Sequence, residues 1–478
     1  MLSIQKKLSA PFYMLLSLPS TAMGFALSVQ ISALSWLLST QYGLDIHEIG
    51  IVWAAGPIAG ILGQVIVGFI SDKVWFWNGR RRPFIIIGGV LASLSLLALP
   101  NIGIINESLG HVGLMAVAIA VALSLDLSIN VSFNPTRSII ADVTPAGEQR
   151  TLGYTWMQTI SGTFGVLAYV IGGFWNNFLL IYFGAALVLL FSVIPALFIE
   201  EPKVLEGENK EADVKFSWYE VLSDIKPLWG FLVYSIYASV LHLTGFEVKH
   251  YYFEILALLI TLYFVFETLS KNENDFSESD AKHLGFKKVL AAHSFSWIGI
   301  QTMFVFCYAF LQEKMSTLTT EELGQTISYS FAILNAVAAL LPALVLGPLA
   351  IKFGRIQVHA YALLVTAVAY ALIAFFATTP MIMYLFMALA GIGWSAVVSL
   401  PFAIMSERVE NAKMGLYMGL FNLSVVLPQL VVSLGVSLFL NKADDKSMVF
   451  VVCAISMTIS AVSWLMIKEK PVPDVNAN

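Results

Sequence analysis

Apolar residues run along this chain in blocks of roughly 20, the length a helix needs to cross a hydrocarbon core. The blocks fall near 12–38, 48–71, 83–100, 112–141, 153–175, 178–198, 228–246, 251–269, 288–311, 326–350, 357–378, 380–405, 414–439 and 447–467. The connections between them are mostly short, which leaves room for a helix bundle and little else. The pattern predicts an all-α membrane protein of about fourteen transmembrane segments. Composition agrees: of 478 residues 58% are hydrophobic and only 12% charged, where a soluble domain is nearer a quarter charged.

Charge adds orientation. With the N-terminus inside, the even-numbered connections carry Lys73, Arg80, Arg81, Arg82, Arg150, Lys203, Lys226, Lys271, Lys352, Arg355, Arg408 and Lys413, among others. The opposite side holds only Lys249, Lys314, Lys442 and Lys446. That bias places both termini in the cytoplasm. Lys6 and Lys7 precede an apolar run too long for a signal peptide, so no cleavable leader is expected. The tail after Lys470 is short and polar, so no large soluble domain is expected at either end. Glu200 to Lys226, with its E-G-E-N-K-E-A-D-V-K run, reads as a solvated connector between two halves. Two extra apolar segments follow, joined by G-F-E-V-K-H, and then the polar K-N-E-N-D-F-S-E-S-D stretch. The resulting division is a six-helix bundle at 1–200, a cytoplasmic linker at 201–227, and an inserted transmembrane hairpin at 228–270. A second linker at 271–287, a second six-helix bundle at 288–470 and a short tail at 471–478 complete it. Glu254 and Glu267 lie near the ends of the hairpin, where an interfacial carboxylate costs less than a buried one.

The two halves resemble each other. Pro135, Asp142, Arg150 and Gly153 match Pro401, Glu407, Lys413 and Gly415, and Gly68 through Gly79-Arg80 matches Gly347 through Gly354-Arg355. Internal duplication of this kind is the mark of transporters that rock one bundle against another.

The stretch from Ser124 to Gly153 carries the chemistry. Asp126, Asn130, Asn134 and Arg137 sit within an otherwise apolar run at spacings that place them in an arc of roughly 80° on one helical face. An acid at membrane depth is costly unless it faces protein or water, so Asp126 marks a functional site. Arg137 is about 16 Å further along the helix axis, too far for a direct ion pair with Asp126 and suited to pairing across helices at the cytoplasmic end.

Between the second and third segments, G68-F-I-S-D-K-V-W-F-W-N-G-R-R-R-P-F84 combines a glycine-rich helix end, an acid and a basic turn. It resembles the cytoplasmic motif of the major facilitator superfamily. Gly68 permits close helix approach, and Asp72 is placed to pair with an Arg or to meet the positive end of a neighbouring helix. Gly79, Arg80, Arg81, Arg82, Asp142 and Arg150 complete the motif as a conformational device, and the three arginines also serve topology. W53-A-A-G-P-I-A-G, G79-R-R-R-P-F84, D126-L-S-I-N130, N134-P-T-R-S-I-I-A-D142, E148-Q-R-T-L-G153 and A-A-H-S-F-S-W-I-G-I-Q301 narrow the resemblance to the glycoside-pentoside-hexuronide:cation symporters. Within these, the sucrose:proton and maltose-maltooligosaccharide branch is most similar.

The resemblance implies a major facilitator fold of two six-helix bundles, here with a two-helix hairpin inserted. It implies proton-coupled uptake of a disaccharide, maltose or a related α-glucoside such as sucrose. Asp126 is the implied coupling and sugar-binding acid, with Arg137 as a second functional residue and Asn130 as the neighbour one turn away. A sodium-coupled carrier of another glycoside and a sugar sensor of the same fold are the alternatives.

Sugar rings present polar edges and apolar faces, so their recognition needs amides, hydroxyls and aromatic platforms. The candidates at membrane depth are Gln30, Gln64, Asn134, Trp156, Gln158, Trp297, Gln301, Asn335, Trp394 and Asn422. Each has a structural alternative, because amides also join transmembrane helices and Trp also anchors at interfaces. His293, early in the helix that opens the second half, reads as a capped or interfacial histidine, with proton relay as the alternative. Cys307 and Cys453 imply neither a disulfide framework nor a metal site. No Walker A sequence or H-E-x-x-H is present, so the expectation is a carrier with no cofactor beyond its coupling ion, H+ or Na+. Its partners are then a small sugar and the lipid bilayer, with no nucleic acid and a monomeric state. A multi-pass position in a cell membrane is expected, and the bacterial inner membrane is the expected one.

Overall fold

The computed structural model describes residues 3–43, 60, 66–175, 177–203, 218–244, 250–436, 440 and 443–469. Among these residues the long helices carry the architecture and no β-strand occurs. Contacts divide the chain into two compact units, one of Met1–Val214 with Glu410–Gly419, the other of Lys215–Val409 with Leu420–Asn478.

In the first unit, α1 (Ala10–Tyr42) is followed by α2 (66–73), α3 (Arg82–Ala98), α4 (Leu114–Val143), α5 (Glu148–Phe174) and α6 (Asn177–Phe198). Helix α1 packs on α5 and α6, and α3 packs on α4 and α6. Small and medium residues make this possible: Ala22, Ala26, Val29 and Ala33 repeat at three to four residues on α1 and are fully buried, with Ala92 on α3 and Ala118, Ala122 on α4. In lipid the gain comes from close packing rather than from leaving water, and short side chains let the helix backbones approach.

The second unit contains α7 (Trp229–Thr244), α8 (Tyr252–Ser270), α9 (Glu278–Lys314), α10 (Thr320–Leu341), α11 (Arg355–Phe376), α12 (Pro380–Val397), the later turns of α13 (Met414–Val431), and α14 (Met448–Leu465). Helix α14 packs on α9 and α11, and α12 packs on α10 and α11. Helix α10 begins with a capping box in which the Thr319 hydroxyl accepts from the Glu322 N–H and the Glu322 carboxylate accepts from the Thr319 N–H. Its reciprocal bonds satisfy donors that a helix start otherwise leaves open.

Eleven helices among the described residues are long and apolar enough to cross a membrane, fewer than the fourteen apolar runs. The run at 48–71 lies mostly outside the described residues, and those at 153–175 and 228–246 fall on α5 and α7, which are not among the eleven. The described part of α7 has 16 residues and rises about 24 Å, short of the ~30 Å hydrocarbon core.

Two connectors differ from their reading as linkers. Helix α9 starts at Glu278, inside the 271–287 stretch, because Ser277 caps it and its first turn carries Glu278 and Asp280, which favour a helix N-terminus. Trp218–Asp224 is helical within 201–227, whose residues 204–217 lie outside the described ones. The polar stretch after α8 is also anchored: Glu273 is 9% exposed and pairs with Arg408 at 2.8 Å and Lys288 at 3.8 Å.

Candidate functional site

Asp126 lies in the middle of α4, with Leu125 fully buried on one side and Leu127 47% exposed on the other. Its carboxylate is half-buried. The Gln30 side chain of α1 reaches across and donates from Nε2 to Asp126 Oδ1 at 3.1 Å. Gln30 is 1% exposed, and its Oε1 is buried without a hydrogen-bond partner among the described residues. Asn130 donates from Nδ2 to the Asp126 backbone carbonyl at 2.8 Å, and Gly60 lies beside it, a Cβ there falling 3.7 Å from Asn130 Oδ1. Asp126 is thus held from α1 through Gln30 and from its own helix through Asn130, whose side chain in turn lies against Gly60. Asn134 is fully buried on the same helix. Arg137 rests its guanidinium 4.0 Å over the Phe133 ring, and its carbonyl accepts from the Tyr154 hydroxyl at 3.1 Å. Gln64 lies outside the described residues. Trp156 and Gln158 are half-buried on α5, and no hydrogen bond among the described residues joins them to Asp126.

The second unit gathers a separate set. Trp394 of α12 donates from Nε1 to Asn335 Oδ1 of α10 at 3.1 Å, and Asn335 donates in turn to the Phe331 carbonyl at 2.9 Å. Trp394 meets Trp297 of α9 edge-on at 5.7 Å and Phe304 at 5.7 Å, and Phe304 meets Phe331 at 5.2 Å. Trp297 donates from Nε1 to His293 Nε2 at 3.0 Å. Three of the sugar candidates therefore form one aromatic cluster braced by amide hydrogen bonds, in the edge-to-face arrangement that aromatic quadrupoles favour. Gln301 is half-buried one turn beyond Trp297, and Asn422 is 8% exposed on α13.

His293 is neither capped nor interfacial. It is 1% exposed, stacks on Phe421 at 4.8 Å and accepts from Trp297. Helix α9 starts at Glu278, ahead of the apolar run that begins at 288, which moves His293 into the packed part of the helix. Phe304 and Phe331 went unnoticed in the sequence, since this chain has 33 phenylalanines and nothing local marks those two.

The end of α2 builds the third constellation. Asp72 accepts from the backbone N–H groups of Gly415 and Leu416, both at 2.8 Å, and pairs with Arg81 at 2.6 Å. The acid thus does both things its position allowed, pairing with an Arg and meeting the positive start of a helix. Gly68 and Gly415 touch so closely that a Cβ on Gly68 would fall 2.1 Å from the Gly415 carbonyl oxygen, so neither position admits a side chain. Arg81 is fully buried and reaches Asp142 at the end of α4 at 2.8 Å. Burial disfavours its charge, but Asp142 and Asp72 outweigh that and hold the guanidinium protonated. Arg80 donates to the Asp72 carbonyl at 2.7 Å, and Arg150 caps the end of α4 by donating to the Ala141 and Thr144 carbonyls at 3.0 and 3.1 Å. Arg82 bonds the Asn78 carbonyl at 3.2 Å and the Leu197 carbonyl at 3.3 Å. Glu201, after α6, accepts from the N–H groups of Arg80, Arg81 and Arg82, each at 2.8 Å. Burial pushes the Glu201 carboxyl above its ordinary range in spite of those donors. Gly79 packs against it, a Cβ there falling 2.7 Å from Glu201 Oε1.

The second unit repeats this arrangement. Arg355, opening α11, grips Glu407 with two bonds of 2.5 and 2.7 Å, and Glu469, after α14, accepts from the N–H groups of Arg355 and Ile356 at 3.2 and 2.8 Å. The repeat sets Arg81 against Arg355, one residue on from the Arg80 match that the sequence suggested. Glu201 and Glu469 escaped sequence reasoning. The shared I-x-E at Ile199–Glu201 and Ile467–Glu469 was the available signal.

The model of the Major Facilitator Superfamily matches residues 16–433 and 302–478. The chain belongs to that superfamily. Major facilitator proteins are membrane transporters and not enzymes, in keeping with the multi-pass helical architecture. Among curated relatives, a general alpha-glucoside permease of Schizosaccharomyces pombe is 32% identical over 190 residues, a match covering 36% of this chain and only 34% of the permease. Sucrose transport protein SUT2 of Oryza sativa subsp. japonica is 26% identical over 470 residues, covering 89% of this chain and 86% of that protein. Among solved structures, the E. coli fucose:proton symporter has a TM-score of 0.66 at 13% identity, with 97% of this chain and 100% of that chain covered. The human organic anion transporter MFSD10 gives 0.65 at 11% identity, covering 95% and 98%. At such identities the structural likeness shows the fold alone.

Proposed function

We propose that this major facilitator protein is a proton-coupled symporter that takes up a disaccharide, maltose or a related α-glucoside such as sucrose. The observation that carries the reading is the Asp126–Gln30 pair at 3.1 Å within the apolar α1–α4 packing. A carboxyl there is poorly solvated, and protonation removes the cost of its charge. When ionised it accepts hydrogen bonds from sugar hydroxyls, so proton and sugar become thermodynamically linked ligands. Gln30, with one amide oxygen left over, and Asn130 supply further polar partners for a sugar. Trp297 and Trp394, braced by Asn335, offer apolar faces of the kind sugar rings stack on. The names of the sucrose and alpha-glucoside relatives favour a glucoside. Arg137, cushioned on Phe133, acts at the far end of the same helix face.

The Lys and Arg distribution favours cytoplasmic termini, and the reading is of a monomer in a cell membrane, taken as the bacterial inner membrane. Asp126→Asn imitates the protonated acid. In proteoliposomes with an imposed pH difference it is expected to lose gradient-driven accumulation while sugar still exchanges down its own gradient. Continued accumulation by Asp126→Asn removes Asp126 as the coupling acid. Accumulation by the unmutated protein that follows Na+ and ignores pH transfers the coupling to sodium.

A further inference from the structure

A cavity of about 620 Å³ lies between the α7–α8 hairpin and the rest of the second unit. Its walls come from five places: Phe231 and Tyr234 of α7, Ala257 and Leu258 of α8, Phe295 of α9, Gly435 and Val436 of the segment that follows α13, and Val452 of α14. The size falls in the range of about 300–1,000 Å³ typical of small-molecule sites, and so does the recipe of apolar walls with few polar groups. Val432–Val436 is a π-helical turn, a local irregularity found often at functional positions. Gly435 within it lies against the Tyr234 hydroxyl, where a Cβ would fall 2.4 Å away. The turn and the hairpin are thus fitted to each other around the cavity.

Two further features specify the occupant. The first is access. Leu258 and Leu262 line the cavity and are also 57% and 49% exposed, on a face of α8 that continues through Ile255, Leu259, Tyr263 and Phe266. Since α8 is apolar enough to span a membrane, that face meets lipid, and a molecule entering between Leu258 and Leu262 comes from the bilayer. The second is charge. Glu254, in the first turn of α8, lines the cavity, and its Oε2 is buried without a hydrogen-bond partner among the described residues. Tyr234 and Tyr251 line the cavity beside Glu254, and behind them Tyr237 packs on Tyr234 at 6.4 Å and on Phe253 at 4.0 Å, so aromatic rings surround this end. A carboxylate oxygen shut off in such surroundings is costly until a donor reaches it.

We propose that the cavity is a binding site for a phospholipid whose headgroup carries a primary ammonium, with an acyl chain along Ala257, Leu258 and Phe295 and the ammonium on Glu254. An ammonium supplies both a positive charge and the N–H donor that Glu254 Oε2 is without among the described residues, giving a charge-assisted hydrogen bond. A trimethylated headgroup brings charge without a donor, and an anionic headgroup is repelled. The inserted hairpin therefore has a task apart from the sugar pathway, as a lipid-recognising appendage of the second unit.

The test is native mass spectrometry of the full-length protein released from bilayers of phosphatidylethanolamine, phosphatidylcholine and phosphatidylglycerol in equal parts with matched chains. Retained lipid is expected to be enriched in phosphatidylethanolamine by about tenfold over phosphatidylcholine, the factor that a free-energy difference of ~1.4 kcal/mol produces. Glu254→Gln keeps the shape and is expected to return the retained lipid to the composition of the mixture. Ala257→Phe fills the cavity and is expected to lower the number of retained lipids whatever their headgroup. Retained lipid that matches the mixture in the unmutated protein, a preference for phosphatidylglycerol, or an ethanolamine preference that survives Glu254→Gln overturns the proposal. Should Ala257→Phe not fold, the Glu254→Gln comparison decides alone.

Discussion

Arg81→Met removes one cation from between two buried carboxylates. Arg81 is 0% exposed, Asp72 and Asp142 have side-chain exposures of 4% and 1%, and the two pairs measure 2.6 and 2.8 Å. Methionine fills much of the volume, so the loss is electrostatic rather than a cavity. Removing one partner of a buried pair costs about 3–5 kcal/mol because a charge is left buried and uncompensated. Asp72 keeps the Gly415 and Leu416 N–H donors, whereas Asp142 retains neither its cation nor an equivalent replacement, so most of the loss is expected at Asp142. At about 2–4 °C per kcal/mol for domains of this size, the unfolding temperature drops by about 6–20 °C. The trio lies in the first unit and the buried thiols Cys307 and Cys453 in the second, so the melt is followed by circular dichroism, which registers the helices of both units. Adding Asp142→Asn to Arg81→Met removes the stranded charge and is expected to recover at least half of the drop, as a double-mutant cycle resolves. If Arg81→Met melts with the unmutated protein, or Asp142→Asn recovers nothing, the electrostatic account of this buried trio is wrong.

Two other outcomes are expected. Asn335→Ala frees Trp394 from its amide brace, and the loss of one neutral hydrogen bond, about 0.5–1.5 kcal/mol, weakens sugar binding by about 2- to 10-fold in a tryptophan-fluorescence titration; unchanged affinity separates the aromatic cluster from the sugar. Asp445 is held well below its ordinary value of 3.8, first by the hydrogen bond from Lys314 and then by the Ser447 N–H. Its folded value lies below its unfolded one, so its contribution to stability is complete above about pH 4 and disappears as the pH falls through the folded value. Asp445→Asn is expected to lower the melting temperature at neutral pH and to flatten the acid limb, the two profiles converging as the pH falls through the folded value; a neutral-pH melting temperature unchanged by the substitution, or a loss that persists undiminished into acid, refutes it.

What the sequence discloses follows from how each feature is encoded. The helices were visible because a membrane helix needs a continuous apolar block, and Asp126 was visible because a charge in such a block has few innocent explanations. Asp72 and Arg81 announced themselves through their neighbours in one short motif. Glu201 and Glu469 did not, since each acts on backbone N–H groups more than a hundred residues away and looks like any acid after a helix. The extension of α9 back to Glu278 was hidden because a helix leaving the membrane carries charges that resemble a linker. The aromatic cluster was half legible: tryptophans are scarce enough to single out, phenylalanines in this chain are not. Register was the finest point missed, since only the ion pair to Glu407 shows that Arg81, and not Arg80, is the counterpart of Arg355.

The carboxylate of Asp72 also sets a timetable for biosynthesis. Its partners Gly415 and Leu416 lie 343 and 344 residues downstream, and Glu410–Gly419 belongs to the first unit. At a ribosomal pace of about 5–20 residues per second, the nascent protein carries this acid for about 17 to 70 s before the N–H groups that receive it exist. The first unit is thus finished almost last, and a polypeptide released before residue 410 leaves Asp72 to Arg81 alone. Quality-control factors that survey unfinished membrane proteins have a long interval in which the end of α2 distinguishes an incomplete copy from a complete one.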